Sequence, residues 1–249
     1  MTLRLERQGP VVVLTLDDPE RRNALSVEMV EAIVAAVDDA DADAGVGALV
    51  VTGAPPAFCS GADTSSLRAM GEGGAAPTSV RSIYDGFLRV RACSLPTVAA
   101  VNGPAVGAGF NLALCCDVRL AGESARFDSR FARIGLHPGG GHTWLLDRAV
   151  GPQAAAALAL FGVPVDGRRA AELGLAWACL ADDELLDAAR ALAARAAEAP
   201  RDLLRAVKAS LREAPGQLDF DAAVAVELER QAESVRRGWV AERLAARRR

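Results

Sequence analysis

The sequence predicts an α/β protein whose C-terminal part is helical. Three short apolar segments rich in β-branched residues, each ended by turn residues, predict strands. Amphipathic segments between them predict crossover helices, and strands that alternate with helices form a largely parallel sheet. After about Gly151 the strand signals fade and helical patterns follow one another.

The predicted strands share one pattern, which is a run of Val, Leu and Ala stopped by Gly, Pro, Asp or Asn. They are expected at residues 11–16, 46–52 and 97–101. Ser26 is placed to cap the helix after the first strand, because its hydroxyl can accept from a free amide of the first turn. The Gly-, Ala- and Pro-rich segment 70–78 predicts a loop.

The C-terminal part is expected to hold five helices and at most one short strand. The helices are predicted at residues 152–161, 166–174, 183–198, 200–214 and 220–237. The strand is expected at 176–180. We divide the chain into an α/β core over residues 1–190 and a helical region over residues 191–249.

Composition excludes several functional classes. The chain has 249 residues, with 28 basic and 32 acidic side chains, a net charge of −4 and only 4% aromatic residues. Nucleic-acid binders usually have a basic face and stacking aromatics, so no nucleic-acid partner is expected. The sequence has no run of 18 apolar residues, so no membrane span is expected.

The cysteines and histidines predict neither disulfides nor a metal site. Five cysteines are an odd number without metal-ligand spacing, and the chain has two histidines. No charged-then-apolar signal pattern stands at the N-terminus. We therefore expect reduced thiols and a cytoplasmic location.

Two loops of small residues follow the second and third predicted strands, at 57–63 and 103–111. Small residues let the backbone approach a ligand, and the first amides of a helix have no internal partner. Two such N–H groups aimed at one point would form an oxyanion hole for a carbonyl that gains negative charge. The alternative is a structural role. A phosphate loop would need Gly-Lys-Ser/Thr, and the one lysine of the chain is Lys208.

Several motifs follow one another in order from about residue 10 toward the C-terminus. They are Pro19-Glu20-Arg21-Arg22-Asn23-Ala24-Leu25, residues 58–63, Leu95-Pro96-Thr97, residues 102–117 and Pro138-Gly139-Gly140-Gly141. This series resembles the crotonase superfamily, which comprises the enoyl-CoA hydratases and isomerases.

The resemblance implies a crotonase-like spiral of ββα units with a helical C-terminal trimerisation region. Residues 1–190 would hold the acyl-CoA site, and residues 191–249 would build a homo-trimer or a hexamer. The implied partner is a small-molecule acyl-CoA, as in fatty acid metabolism. Coenzyme A would enter as part of the substrate, with no other cofactor and no metal.

The resemblance also implies roles for individual residues. The oxyanion hole would use the backbone N–H groups of Ala62 and Ala108. The coenzyme A region would include five further residues, namely Arg22, Ala24, Gly61, Asp63 and Gly107.

The sequence departs from the family pattern at two positions that usually hold catalytic glutamates. These positions are Asn111 and Phe131. Neither side chain can exchange a proton near neutral pH, so hydration by the usual route is not expected. Candidate replacements are His137, His142, Asp63 and Asp128. The structural alternatives are loop histidines hydrogen-bonded to backbone and an aspartate that orders its own loop. Phe131 and Trp144 are expected either to shape an apolar acyl pocket or to fill core.

Three functional hypotheses follow. The first is an enoyl-CoA hydratase/isomerase-like enzyme, a lyase or isomerase, that stabilises a thioester enolate. The second is a non-catalytic acyl-CoA binding protein. The third is a structural subunit that assembles with active relatives.

Overall fold

The computed structural model describes residues 2–63, 77–217 and 219–237. Two sheets are surrounded by α-helices. The strands are β1 (Leu3–Gln8), β2 (Val11–Leu16), β3 (Ala48–Gly53), β4 (Thr97–Val101), β5 (Pro104–Val106), β6 (Val118–Gly122), β7 (Arg126–Asp128), β8 (Val165–Asp166) and β9 (Ala178–Leu180). The helices are α1 (Val27–Ala42), α2 (Pro77–Ala92), α3 (Ala108–Cys115), α4 (His142–Ala159), α5 (Gly167–Glu172), α6 (Leu185–Ala197), α7 (Arg201–Gln217) and α8 (Phe220–Arg236).

The main sheet has six strands in the order β1-β2-β3-β4-β6-β9. β1 and β2 are antiparallel, and every other neighbouring pair is parallel. The expected largely parallel sheet is therefore confirmed. The strand expected at 97–101 has those bounds as β4, and the one expected at 46–52 begins two residues later as β3.

Both faces of the main sheet are covered, which explains why its central strands are apolar without alternation. Leu49 and Val51 of β3 belong to the large core that includes residues of α1, α2 and α3. Ala48 and Val50 point to the other face, where Ala189 of α6 packs with them. Because consecutive side chains of a strand point to opposite faces, two covered faces require an uninterrupted apolar run.

Five strands were not anticipated: β1, β5, β6, β7 and β8. In β1 only Leu3 is buried, since this edge strand presents charged residues such as Arg4 and Glu6 to solvent. β5 lies inside the second glycine loop, where no apolar run marks a strand. These two strands form by pairing, β1 with β2 and β5 with β7, and pairing is not visible in local sequence.

The helical C-terminal part has the expected character with shifted bounds. Helix α4 begins at His142, ten residues before the expected start at 152, and bends at Gly151, whose φ is 75°. Residues 190 and 191, where we divided the chain, both lie inside α6. Helix α7 is tied to the core by Lys208, whose Nζ lies 2.6 Å from Asp117 Oδ2.

Residues 70–76 of the expected loop 70–78 lie outside the described residues, and Pro77 and Thr78 begin α2. Across the described ranges, no helix is both long and apolar enough to cross a membrane. The five cysteines are free thiols, four of them buried.

Candidate functional site

A mainly apolar pocket of about 140 Å³ lies between the two glycine loops and the segment 129–139. It brings together six of the residues that the sequence singled out. Those lining it are Gly61, Ala62, Gly107, Ala108, Phe131 and His137. Tyr84 of α2 lines the pocket as well. This pocket is hereafter called the acyl pocket.

The two glycine loops meet because β5 joins them. Cys59 N–H donates to Pro104 O (3.1 Å), and Val106 N–H donates to Cys59 O (3.0 Å). Gly109 faces the Cys59 carbonyl so closely that a Cβ would overlap it. Glycine is therefore needed there for the loops to approach each other.

The direction of the Ala62 N–H follows from its neighbour's carbonyl. Leu25 N–H donates to Gly61 O at 2.8 Å, so that carbonyl points toward Leu25. In a trans peptide the C=O and the following N–H point in opposite directions. The Ala62 N–H is therefore directed away from Leu25, and Ala62 itself lines the acyl pocket.

Ala108 is the first residue of α3, and its N–H points out of that helix. Gly107 O accepts from Asn111 N–H (3.0 Å) within the first turn, so the amide of the same peptide unit points the opposite way. A Cβ built on Gly61 would lie 3.5 Å from Ala108 N, so the two loops are in close contact. Two N–H groups of this kind beside one pocket can stabilise an oxygen that gains negative charge.

Three side chains form a hydrogen-bonded chain that begins at Ser129 in the pocket wall. Ser129 Oγ lies 2.8 Å from His142 Nε2, and His142 Nδ1 lies 2.7 Å from Asn111 Oδ1. Asn111 Nδ2 donates to Gly139 O at 2.9 Å. The expectation of a loop histidine bonded to backbone is wrong for His142, because this residue begins α4, is buried and bonds two side chains. Burial lowers the pKa of His142 to about 4.

The two glutamate positions are filled by side chains without a titratable proton. Asn111 is buried, with its amide engaged by Gly139 and His142. Phe131 lines the acyl pocket, and its ring centroid lies 5.1 Å from that of His142. Phe131 thus lines the acyl pocket and also packs against the His142 ring.

The other candidate acid–base residues occupy different positions. His137 lines the pocket with an exposed ring, and its Nδ1 lies 2.7 Å from Pro138 O. Asp128 is buried and paired with Arg130 (2.8 Å) and Arg133.

Trp144 neither lines the acyl pocket nor fills core, contrary to both expectations. Its side chain is half exposed, and the guanidinium groups of Arg148 and Arg91 lie 4.4 and 5.0 Å from its ring centroid. Such cation–π contacts suit a tryptophan on the surface.

The residues expected to hold coenzyme A lie alongside the first glycine loop. Ser60 N–H donates to Arg22 O at 3.0 Å, and Ala24 is buried beside Leu25. Arg22 is exposed and has a φ of 52°. Asp63 is the last described residue before the gap at 64–76.

Ser129 is the pocket residue that sequence reasoning missed. It stands between Asp128 and Arg130 without a recognisable motif, and no local signal marks it. Its partner His142 is 13 residues away in the chain, so the pair exists only through the tertiary fold. As for metals, the described ranges contain no cluster of three or more His, Cys, Asp and Glu that could hold one.

Comparison with known proteins gives a consistent result. A family model described as enoyl-CoA hydratase/isomerase matches residues 6–242. A protein of Mycobacterium tuberculosis named probable enoyl-CoA hydratase EchA14 is 51% identical over 241 residues, which is 95% of this chain and 93% of that protein.

Solved structures agree with these sequence matches. An enoyl-CoA hydratase from Polaromonas sp. JS666 superposes with a TM-score of 0.91 at 29% identity, covering 98% of this chain and 95% of that one. A putative enoyl-CoA hydratase from Thermobifida fusca, solved in complex with CoA, has a TM-score of 0.84 at 32% identity, covering 95% and 93% of the two chains.

Proposed function

The chain belongs to the enoyl-CoA hydratase/isomerase family, and we propose that it binds an acyl-CoA and stabilises negative charge on the thioester oxygen through the N–H groups of Ala62 and Ala108. The observation that carries this proposal is that Ala62 and Ala108 line one apolar pocket, with the Ala62 N–H directed away from Leu25 and the Ala108 N–H directed out of α3. Donors fixed in advance around a developing charge need no reorganisation during reaction, which is the source of their effect.

The coenzyme A moiety is proposed to lie along the segment 21–25 and the first glycine loop. Hydrogen bonds from Ser60 to Arg22 O and from Leu25 to Gly61 O hold this surface together. Arg22 offers an exposed guanidinium for a phosphate, and Ala24, Asp63 and Gly107 complete the proposed region. The Thermobifida fusca relative solved with CoA supports this class of ligand. No cofactor beyond the coenzyme A of the substrate is part of the proposal.

Hydration by two carboxylates is not part of the proposed activity. Asn111 holds its hydrogen-bond partners as a neutral amide, and Phe131 is apolar. A side chain without a titratable proton cannot deprotonate the attacking water. The site therefore keeps the charge-stabilising half of the family's chemistry and lacks the usual acid and base.

A test separates the oxyanion role from binding in general. Butyryl-CoA carries the thioester oxygen, whereas the thioether S-butyl-CoA lacks it. Ala108→Pro removes one N–H at the first position of a helix, where proline is tolerated. Calorimetry should show butyryl-CoA bound at least about fivefold more weakly by the variant, the cost of one hydrogen bond, with the affinity for S-butyl-CoA unchanged.

The outcomes are distinct. An equal loss of affinity for butyryl-CoA and S-butyl-CoA would mean that the effect of the variant does not depend on the thioester oxygen. That result would contradict the oxyanion role. Absence of binding of either ligand by the unaltered protein would overturn the proposed function. Binding of butyryl-CoA without turnover of any acyl-CoA would favour the alternative, a non-catalytic acyl-CoA binding protein.

The proposed assembly is a homo-trimer or hexamer built through the C-terminal helices. Between α7 and α8 the chain presents a groove with exposed apolar side chains, among them Leu211 and Leu228. Exposed apolar area of this kind on two paired helices is typical of a subunit contact. Mass photometry of the purified protein should show three or six chains per particle, and a monomer would contradict the proposal.

A further inference from the structure

The hydrogen bonds around Asn111 determine which atoms of His142 and Ser129 donate. The Gly139 carbonyl can only accept, so the Asn111 amide must present its NH₂ to Gly139 and its oxygen to His142. The amide oxygen is also only an acceptor, so the proton of a neutral His142 sits on Nδ1. Nε2 is then unprotonated and accepts from the Ser129 hydroxyl, 2.8 Å away.

We propose that Ser129 is a nucleophile that His142 activates, and that the site hydrolyses acyl-CoA thioesters through an ester on Ser129. This inference rests on the proposed function, because it uses the acyl pocket and the amides of Ala62 and Ala108. The arrangement contains the three parts of an acyl-transfer site, namely a hydroxyl hydrogen-bonded to a base, a group that orients the base, and donors for the oxyanion.

The position of Ser129 suits this role. It lines the same pocket as Ala62 and Ala108. Gly107 N–H donates to Asp128 O (2.9 Å), which ties the strand before Ser129 to the residue before Ala108. The serine is therefore held beside the second glycine loop, where the thioester carbonyl would be bound.

The first half of the reaction releases coenzyme A. The Ser129 oxygen attacks the thioester carbon, its proton passes to His142 Nε2, and the amides of Ala62 and Ala108 receive the charge that develops on the carbonyl oxygen. The C–S bond then breaks. The leaving sulfur takes the proton from His142, so free coenzyme A departs and the acyl group remains as an ester on Ser129.

The second half uses water as the co-reactant. Water gives a proton to His142 Nε2 and attacks the ester carbon. When the C–O bond to Ser129 breaks, His142 returns the proton to the serine oxygen. The products are a carboxylic acid and the starting enzyme, so no oxidant, reductant or metal is required.

Asn111 and Phe131, which stand at the usual glutamate positions, both contact His142 and contribute to this reaction. Asn111 is a positioning residue that holds the Nδ1–H tautomer of His142. The rings of Phe131 and Phe110 lie 5.1 and 5.3 Å from the His142 ring in edge-on contacts. They shield the imidazole from water, so Ser129 is its hydrogen-bonding partner on the pocket side.

The test measures thiol release and the mass of the enzyme with acetyl-, butyryl- and octanoyl-CoA as probes. The unaltered protein should release coenzyme A from at least one probe. Ser129→Ala should reduce that rate by about 10³-fold or more, as loss of a nucleophile does. Ser129→Cys, which restores a nucleophile, should become acylated by the probe. Ser234→Ala is the matched control, because Ser234 lies on α8 and, among the residues that the structure describes, its hydroxyl donates to Arg230 O of its own helix.

Mass spectrometry then locates the acyl group. Brief incubation of His142→Gln with the reactive probe should show no adduct, whereas the Ser129→Cys protein should gain one acyl mass on residue 129. Thiol release by Ser129→Ala at the unaltered rate would overturn the inference. Calorimetric binding of all three probes without thiol release by the unaltered protein would also overturn it, while leaving the proposed acyl-CoA binding intact.

Discussion

Ser129 Oγ and His142 Nε2 are 2.8 Å apart. Ser129 lines the acyl pocket, and the buried ring of His142 lies against Phe131, another residue of the pocket wall. The imidazole is held from its other side by Asn111, an uncharged group. The histidine is thus enclosed by neutral partners and aromatic rings. This environment disfavours its charged form and makes its titration a sensitive report on the site.

The first prediction concerns acid stability. Burial lowers the pKa of folded His142 from 6.5 to about 4, so the unfolded chain binds more protons between these values. The His142 contribution to stability is therefore complete above pH 6.5 and falls as the pH drops toward 4, by about 3 kcal/mol at most. Urea unfolding of the unaltered protein and of His142→Gln measures this difference.

Any pH dependence that the two proteins share cancels in that comparison. The free energy of unfolding of the unaltered protein should fall more steeply with acid than that of His142→Gln. If the two free energies of unfolding fell in parallel with pH, His142 would be protonated in the folded protein without cost. The side chain would then be more accessible to water than the structure shows.

The second prediction concerns the positioning role of Asn111. In Asn111→Asp a carboxylate faces Nδ1 and stabilises the imidazolium, which raises the pKa of His142. The acid limb of the thiol-release profile should then move upward by at least about one pH unit. Asn111→Ala should lower the rate without moving the limb upward. Thiol release is measured with a dithiodipyridine reagent, which works in mild acid. If Asn111 were only a packing residue, the acid limbs of Asn111→Asp and Asn111→Ala would move by the same amount.

The third prediction concerns the hydration of enoyl-CoA. Phe131→Glu places a carboxylate in the acyl pocket and leaves the bonds of Asn111 in place. Hydration of crotonyl-CoA should rise by about 10²-fold over the unaltered protein, the usual contribution of one general base. Phe131→Gln, of equal size and without a titratable proton, should gain nothing. An equal gain in both variants would mean that added space, and not a base, limits hydration.

The fourth prediction compares two glycines with positive φ. Gly107 (φ 52°) precedes the Ala108 amide, and Gly9 (φ 57°) lies in the turn between β1 and β2 with open space around it. Alanine should cost each site about 1 kcal/mol of stability or more, from backbone strain. Gly107→Ala alone should weaken butyryl-CoA binding, because relief of that strain turns the Ala108 N–H. Matched losses of affinity in both variants would argue against a fixed oxyanion donor at Ala108.

Much of the fold and part of the site could be predicted from the sequence. β4 has the expected bounds, and four of the C-terminal helices, α5 to α8, appear close to where periodicity placed them, because apolar patterning reports which face an element buries. β1 and β5 could not be anticipated, since their residues become strands only by pairing with distant segments. The glycine loops could be recognised in the sequence because two backbone segments can approach each other closely only where the residues are small.

The sequence by itself determined the family, the glycine loops and the absence of glutamates at positions 111 and 131, because each of these depends on which residue stands where. Only the tertiary structure brought Ser129 and His142 together with Asn111. Asn111, Ser129 and His142 come from three separate segments and share no common motif, and hydrogen bonding joins them only after β5, α3 and α4 have packed. A buried network of this kind is a property of distances and orientations, which local sequence does not encode.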